Sequence, residues 1–388
     1  MCSSPRLYVT PCLRARRPKA LVEARRCFES WDLTPAADGA LSTRGVGGRR
    51  QQVQRRHYLS PPPPPLPPSK FRWRADAGSG DMDPVLARDY SGGKSFSSDV
   101  RADGKVVVVT GANTGIGKET VRELAKRGAH VVMACRDLAK CEKAREEIVF
   151  ETLNKYVYCR HCDLASQKSI RTFVKQFEKE HDKLNILINN AGVMWCPQSK
   201  TEDGIEMQLG VNHMGHFLLT NLLLDRLKAG APSRIVNVSS IAHERGSINV
   251  EDLNSEKEYS KQKAYSQSKL ANVLFTRELA KRLQGSGITV TAVHPGIVDT
   301  ELIRHMGFFN STFSSIFLRP LMWMFIKSPK QGAQTSLYAA LDESLQKVSG
   351  KYFSDCAEKE PAPQATDDSM AQWLWKVSEK WTRLGAGS

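Results

Sequence analysis

No stretch of the 388-residue chain reaches the roughly 18 uninterrupted apolar residues that would read as a membrane-spanning helix. Cysteine is sparse and unpaired in pattern: nine residues, an odd number, scattered through a chain far larger than a small secreted scaffold. A disulfide framework is therefore not expected, and reduced thiols in an intracellular compartment are. Cys159-x-x-Cys162 has no second pair and falls in a predicted strand, so it reads as buried thiols rather than zinc ligands. His213 and His216 likewise lack a thiol or acidic companion and read as core or helix-surface histidines, so no metal site is expected. Acidic residues are scarce at the amino terminus. The first 80 residues hold 15 Lys and Arg against 5 Asp and Glu, which places +10 of the formal +15 there. The remaining 308 residues carry only +5, a distribution that argues against a globally basic nucleic-acid-binding protein.

What is present divides into two parts. Residues 1–100 combine four arginine pairs with a proline run at 61–65, 67 and 68, a composition that favours extended polyproline II and supplies no packed core. Disorder, an organelle transit sequence and an SH3-type ligand all remain open for this basic, proline-rich leader. From Lys105 short β-branched runs alternate with amphipathic helical patterns. Strands are predicted over 105–110, 130–135, 156–162, 185–189, 234–239 and 288–294, and helices over 118–127, 138–153, 169–180 and 264–283. Strand, helix, strand repeated in this way predicts a doubly wound α/β domain over 101–388, a Rossmann fold whose mainly parallel sheet carries helices on both faces.

The first strand runs directly into Gly111, Ala112, Asn113, Thr114, Gly115, Ile116 and Gly117, ahead of a helix. Glycines there permit a tight turn and let backbone N–H groups approach a pyrophosphate at the positive end of the helix. The strand–turn–helix context is what separates this run from an incidental glycine cluster. The second strand ends at Arg136, where an NAD site usually places an acidic residue against the ribose 2′-hydroxyl; an arginine suits a 2′-phosphate, so NADP(H) is the expected cofactor. Arg136 as a solvated surface charge is the competing reading. Asp163, ending the third strand, either accepts a hydrogen bond from adenine or caps a helix.

Tyr265 and Lys269 are four apart on a predicted helix and share a face. An ammonium beside a phenol is expected to lower the tyrosine pKa from about 10, toward general acid/base work on an alcohol or carbonyl oxygen. Ser239 and Ser240 end the fifth strand at the carboxyl edge, and Asn212 opens onto the same edge, placed to hold a water that connects Lys269 to solvent.

Taken in order, Thr110 to Gly117, Asn189-Asn190-Ala191-Gly192, Asn212, Ser240, Tyr265-x-x-x-Lys269 and Pro295-Gly296 resemble the short-chain dehydrogenase/reductase family. Words such as Leu270-Ala271-Asn272-Val273-Leu274-Phe275-Thr276 and Gly350-Lys351-Tyr352-Phe353-Ser354-Asp355 resemble its retinol dehydrogenase subgroup. The resemblance implies a seven-stranded sheet, Tyr265 as acid/base, Lys269 on the cofactor ribose, Ser240 orienting substrate and Asn212 completing a proton relay. Ser240 is preferred to Ser239 because it lies 25 residues before the tyrosine, as in that subgroup. Tyr265 and Lys269 also stand among the expected cofactor contacts, with Asn190 beside the cofactor and the loop from Pro295 to Thr300 on the nicotinamide carboxamide. The implied reaction is NADP-dependent interconversion of retinaldehyde and retinol, with reduction favoured by NADPH. Other lipid aldehydes or ketones, and a non-catalytic NADP-binding scaffold, are the rival functions.

Members of that subgroup begin with a hydrophobic anchor of roughly 20 apolar residues. Here Asp89-Tyr90-Ser91-Gly92-Gly93 resembles the segment after the anchor, while the proline- and arginine-rich leader stands where the anchor would be. The expectation is an alternative amino terminus without the anchor, and a mitochondrial location by resemblance, or a cytosolic one if the leader is no transit sequence. An apolar substrate lid is expected near 300–328. Its segment 308–326 is also a candidate membrane-surface contact. An apolar small-molecule substrate, no nucleic acid and a homodimer complete the expected partners.

Overall fold

The structure, a computed structural model, describes residues 93–298 and 327–385. The leader up to residue 92 and residues 299–326, which include most of the lid expected near 300–328, lie outside the described residues.

Among the described residues, eight strands form one sheet in the order β3-β2-β1-β4-β5-β6-β7-β8. They are β1 (Val106–Thr110), β2 (His130–Cys135), β3 (Val157–His161), β4 (Ile186–Asn189), β5 (Ser233–Val238), β6 (Ile288–His294), β7 (Lys351–Ser354) and β8 (Ala357–Lys359). The first seven are parallel, and β8 pairs antiparallel with β7. The sheet thus has one strand more than the expected seven. β8 carries no alternating apolar signal, because Glu358 and Lys359 face solvent. It forms because Asp355 and Cys356, both at positive φ, reverse the chain in two residues.

The helices used below are α1 (Gly115–Lys126), α2 (Leu138–Thr152), α3 (Gln167–Glu180), α4 (Gly215–Leu222), α5 (Leu224–Ala229), α6 (Lys261–Arg282), α7 (Pro329–Leu341) and α8 (Asp368–Trp381). The pleat sorts side chains between them. Val107, Val109, Val131 and Met133 join the core beneath α1, α2 and α7, while Val106, Val108, Val132 and Ala134 join the core beneath α3, α4 and α6. Burial on both faces explains why the strands read as continuous β-branched runs rather than as polar and apolar alternation.

Most helix starts are capped by a short polar side chain. Asp137 accepts from Lys140 N–H, Ser166 from Ser169 N–H, Ser260 from Lys263 N–H, and Asp367 from Met370 N–H. Ser166 therefore holds the cap position of α3 that Asp163 was considered for. Asp163 instead accepts from Ala165 N–H at 3.0 Å.

Residues 93–100 lie on the domain. Lys94 N–H donates to Asp355 Oδ1 at 2.9 Å, Phe96 N–H donates to Gln334 Oε1 at 2.9 Å, and the Phe96 ring meets Tyr338 edge-on at 6.0 Å.

One thiol expectation is corrected. Cys141 and Cys159 form a disulfide between α2 and β3, with Cα atoms 6.0 Å apart. α2 packs back across the strand that follows it, so residues 18 apart in sequence face each other inside the core, a juxtaposition that spacing alone does not reveal. Cys162 is a free buried thiol, pushed up to about 12 by burial. No group of three or more His, Cys, Asp or Glu is arranged to hold a metal among the described residues.

Candidate active site

Six of the residues or turns singled out from the sequence follow the carboxyl ends of six consecutive strands in the order of the sheet. Asp163 follows β3, Arg136 follows β2, the glycine turn follows β1, Asn190 follows β4, Ser240 follows β5 and Pro295 follows β6. The strand order reverses direction between β1 and β4, the place where an open parallel sheet leaves a crevice for a ligand.

The glycine turn is built by close approach. Gly111 sits at φ +62°, and a Cβ there would come within 2.8 Å of Ala191 Cα. At Gly117 a Cβ would meet the Gly111 carbonyl oxygen at 2.3 Å and Asn190 Nδ2 at 2.6 Å. Asn190 fastens the turn to β4 by donating from Nδ2 to Thr110 O at 2.9 Å, while the Thr110 hydroxyl accepts from Asn190 N–H and Ala191 N–H. α1 differs from the capped helices in one respect: Thr114 occupies its cap position without a side-chain bond; like α2, α3 and α6, it has no acidic side chain in its first turn. Its first N–H groups thus stay available to an anion. Gly111 to Gly117 fit a nucleotide pyrophosphate on these grounds. Arg136 is exposed at the end of β2, beside them. The Cys135 thiol lies under the turn against the Ala112 and Asn113 amides, and burial raises it to about 11.

On the other side of the crevice, α6 delivers Tyr265 and Lys269 from one face, as their spacing predicts. Both are buried, with Lys269 Nζ 5.7 Å from the centre of the Tyr265 ring. The expected sense of the tyrosine shift is corrected here. Burial pushes the phenol up to about 12, with the Ser240 hydroxyl acting in the opposite sense, and burial alone lowers Lys269 to about 8. Burial is the leading cause of both shifts. Lys269 Nζ donates to Val238 O at 3.1 Å, which ties it to the end of β5.

Ser240 and Ser239 separate cleanly. Ser239 is buried and donates its hydroxyl to Lys269 O at 2.7 Å, whereas the Ser240 hydroxyl faces Tyr265. Ser240 Oγ accepts from Ala242 N–H at 3.2 Å, which leaves its own proton free to donate.

Asn212 lies in a π-helical turn, Gly210–Met214, ahead of α4. Its Oδ1 accepts from Val193 N–H at 2.8 Å and its Nδ2 donates to Val193 O and to Ser268 Oγ. Its main-chain oxygen accepts from His216 Nδ1, so His216 Nε2 accepts from the Thr110 hydroxyl at 2.8 Å. Asn212 Oδ1 and Lys269 Nζ both border Gly192, where a Cβ would lie 3.3 Å from the first and 3.7 Å from the second. His213 and His216 are fully buried and lowered to about 3 and about 4 by burial, which keeps them neutral core groups.

Two histidines at this edge carried no signal in the reading by motif. His294, the last residue of β6, accepts at Nδ1 from both Ile241 N–H and Gly296 N–H, each at 3.3 Å. It thereby links the turn after Ser240 to the turn after β6, and presents Ile241 and Ile297, 49% and 58% exposed, at the rim. His243 lies three residues after Ser240. Its place immediately downstream of the serine, inside a turn, is the feature that could have drawn attention to it.

A doubly wound sheet, a glycine turn at its switch point and a Ser–Tyr–Lys cluster at its carboxyl edge define an oxidoreductase of the nicotinamide-dependent class. Residues 105–307 match the short chain dehydrogenase family, and the chain belongs to it. It is 56% identical to retinol dehydrogenase 13 of Homo sapiens over 305 residues, 78% of this chain and 92% of that one. It is also 56% identical to retinol dehydrogenase 12 of Homo sapiens over 299 residues, 76% of this chain and 91% of that one. Among solved structures, an uncharacterised protein from Mycobacterium Paratuberculosis superimposes with a TM-score of 0.61 at 38% identity, covering 75% of this chain and 98% of that one. No helix among the described residues is long and apolar enough to cross a membrane.

Proposed function

We propose that the protein reduces retinaldehyde to retinol with NADPH. The observation that carries this reading is the convergence of Ser240, Tyr265 and Lys269 beside the glycine turn. The similarity to retinol dehydrogenases 12 and 13 supports the substrate class. When bound, the nicotinamide supplies a hydride to the carbonyl carbon.

The residues of the chain supply the rest. Tyr265, a phenol protonated at neutral pH, donates its proton to the carbonyl oxygen as the carbon is reduced. Ser240 donates a second hydrogen bond to the same oxygen and stabilises the charge that develops there. Lys269, largely charged at pH 7 and held by Val238 O, would bind the cofactor ribose. Asn212, whose Oδ1 borders Gly192 beside Lys269 Nζ, would hold a water that connects Lys269 to solvent and so restores the proton that Tyr265 gives up. Gly111, Ala112, Asn113, Thr114, Gly115, Ile116 and Gly117 would hold the pyrophosphate, Arg136 would pair with the 2′-phosphate and Asp163 would accept from adenine, while Asn190 keeps the turn in place. Ile241 and Ile297 form an apolar rim suited to a polyene.

The location proposed by resemblance is mitochondrial, or cytosolic if the leader over residues 1–100 is no transit sequence. Steady-state kinetics with NADPH and NADH against retinaldehyde and a panel of medium-chain aldehydes test the reading. Retinaldehyde is expected to be reduced at least about tenfold more efficiently with NADPH, with the preference reversed in Arg136→Glu. Turnover of the medium-chain aldehydes without retinaldehyde would favour the broader lipid-aldehyde reductase, and equal use of both cofactors would remove the role given to Arg136.

A further inference from the structure

The turn that carries Ser240 is short. It runs through a single 3-10 stretch, Ile241–Arg245, with Ile241 half-exposed; His243 N–H donates to Ser240 O, Gly246 N–H to His243 O, and Ile241 N–H to His294 Nδ1. His243 adds side-chain bonds of its own. Its side chain is fully buried and both ring nitrogens are used. Nδ1 lies 2.7 Å from Ser240 O, and Ala362 N–H donates to Nε2 at 3.2 Å. A carbonyl accepts and an amide donates, so the ring is the neutral tautomer with its proton on Nδ1. The ring also packs against Tyr352 of β7, centre to centre at 4.8 Å.

The segment that meets Nε2 holds the turn elsewhere too. Gln364 Nε2 donates toward Glu244 O at 2.8 Å, Gly246 O at 3.1 Å and His243 O at 3.4 Å. A strap near the carboxyl terminus, residues 361–366, thus crosses the turn after Ser240, and His243 connects that strap to the serine's own carbonyl.

We infer that His243 is a positioning residue for the reaction, acting through Ser240. By fixing the Ser240 carbonyl from inside the fold, it holds the serine hydroxyl toward Tyr265, while the strap around Gln364 holds His243. This inference rests on the reading of Ser240 as the group that orients the carbonyl. Geometric displacement of about 1 Å in such a group costs up to roughly 100-fold in rate.

The test compares kcat, KM and NADPH dissociation constant for Ser240→Ala, His243→Leu, His243→Asn and Gln364→Ala. The asparagine amide reproduces the donor at Nδ1 and omits Nε2. His243→Leu is expected to lower kcat by about 10- to 100-fold with NADPH affinity unchanged, and His243→Asn to recover it to within about fivefold. Gln364→Ala, which leaves the buried ring intact, is expected to lower kcat at least threefold, and it carries the test if His243→Leu does not fold. Parent-like kcat in His243→Leu or, where that variant does not fold, in Gln364→Ala overturns the inference. So does an equal loss in the leucine and asparagine variants at parental melting temperature. The Ser240→Ala control separates the two claims: a large loss there with parent-like His243 variants overturns only this inference, whereas parent-like turnover in Ser240→Ala overturns the role of Ser240 itself.

Discussion

Lys269 shows how a reactive site is set against stability. The lysine is buried, and its folded pKa of about 8 lies below the value of 10.5 it has in water. Between those two values the unfolded chain binds the proton that the folded chain has lost, so stability rises with pH across that window. Below pH 8 the folded protein carries the full cost of a buried ammonium, about 3 kcal/mol from the difference in pKa. The bond to Val238 O returns about 1 kcal/mol of it. Lys269→Met is therefore expected to be more stable than the parent at pH 7 by about 1–2 kcal/mol in urea unfolding, with the difference vanishing above about pH 10, and to be inactive. A methionine variant less stable than the parent at pH 7 would contradict this. Residue chemistry was legible in part. The spacing of Tyr265 and Lys269 places them on one helix face, and the chosen serine faces the tyrosine. The sense of the tyrosine shift was not legible, because it depends on how much water surrounds the pair. Nor were the bonds of His243 and His294, which form with chain segments distant in sequence.

At the scale of elements, strands β2 and β6 have the bounds their apolar runs predict, and other predicted strands differ by a residue or so at an end. Buried β-branched runs between helices leave little choice of conformation. The elements that went unread are β7, β8, α4, α5, α7 and α8. β8 is three residues long, and α4 is buried across Gly215–Thr220, so no amphipathic stripe marks it, whereas α8 carries a stripe of Ala371, Leu374, Trp375 and Ser378. The proposed cofactor binding rests on the turn between β1 and α1. A Cβ at Gly117 would press on the Gly111 carbonyl, which is backbone and cannot rotate away. Gly117→Ala is expected to lose at least about tenfold in NADPH affinity by fluorescence titration and to unfold at a lower temperature by about 2–3 kcal/mol of stability. Parental affinity in that variant would show that the turn yields.

Over the whole molecule, the charge asymmetry visible in the sequence separates a basic leader from a domain that is only mildly basic. The domain brings residues from six strand ends to one edge, and that assembly follows from the parallel topology: each carboxyl end points the same way. The order of motifs along the chain made the architecture readable, whereas the strap from residues 361–366 and the Cys141–Cys159 link depend on packing between segments and had no such signature. In the proposed reaction the edge at Ser240, Tyr265 and Lys269 reduces a carbonyl by proton donation from Tyr265. Turnover of retinaldehyde with NADPH by Tyr265→Phe, measured beside the NADPH dissociation constant of the same variant, tests this step. A loss of kcat of at least about 100-fold is expected, with cofactor affinity within a few-fold of the parent. Parent-like turnover by the phenylalanine variant would show that Tyr265 is not the proton donor.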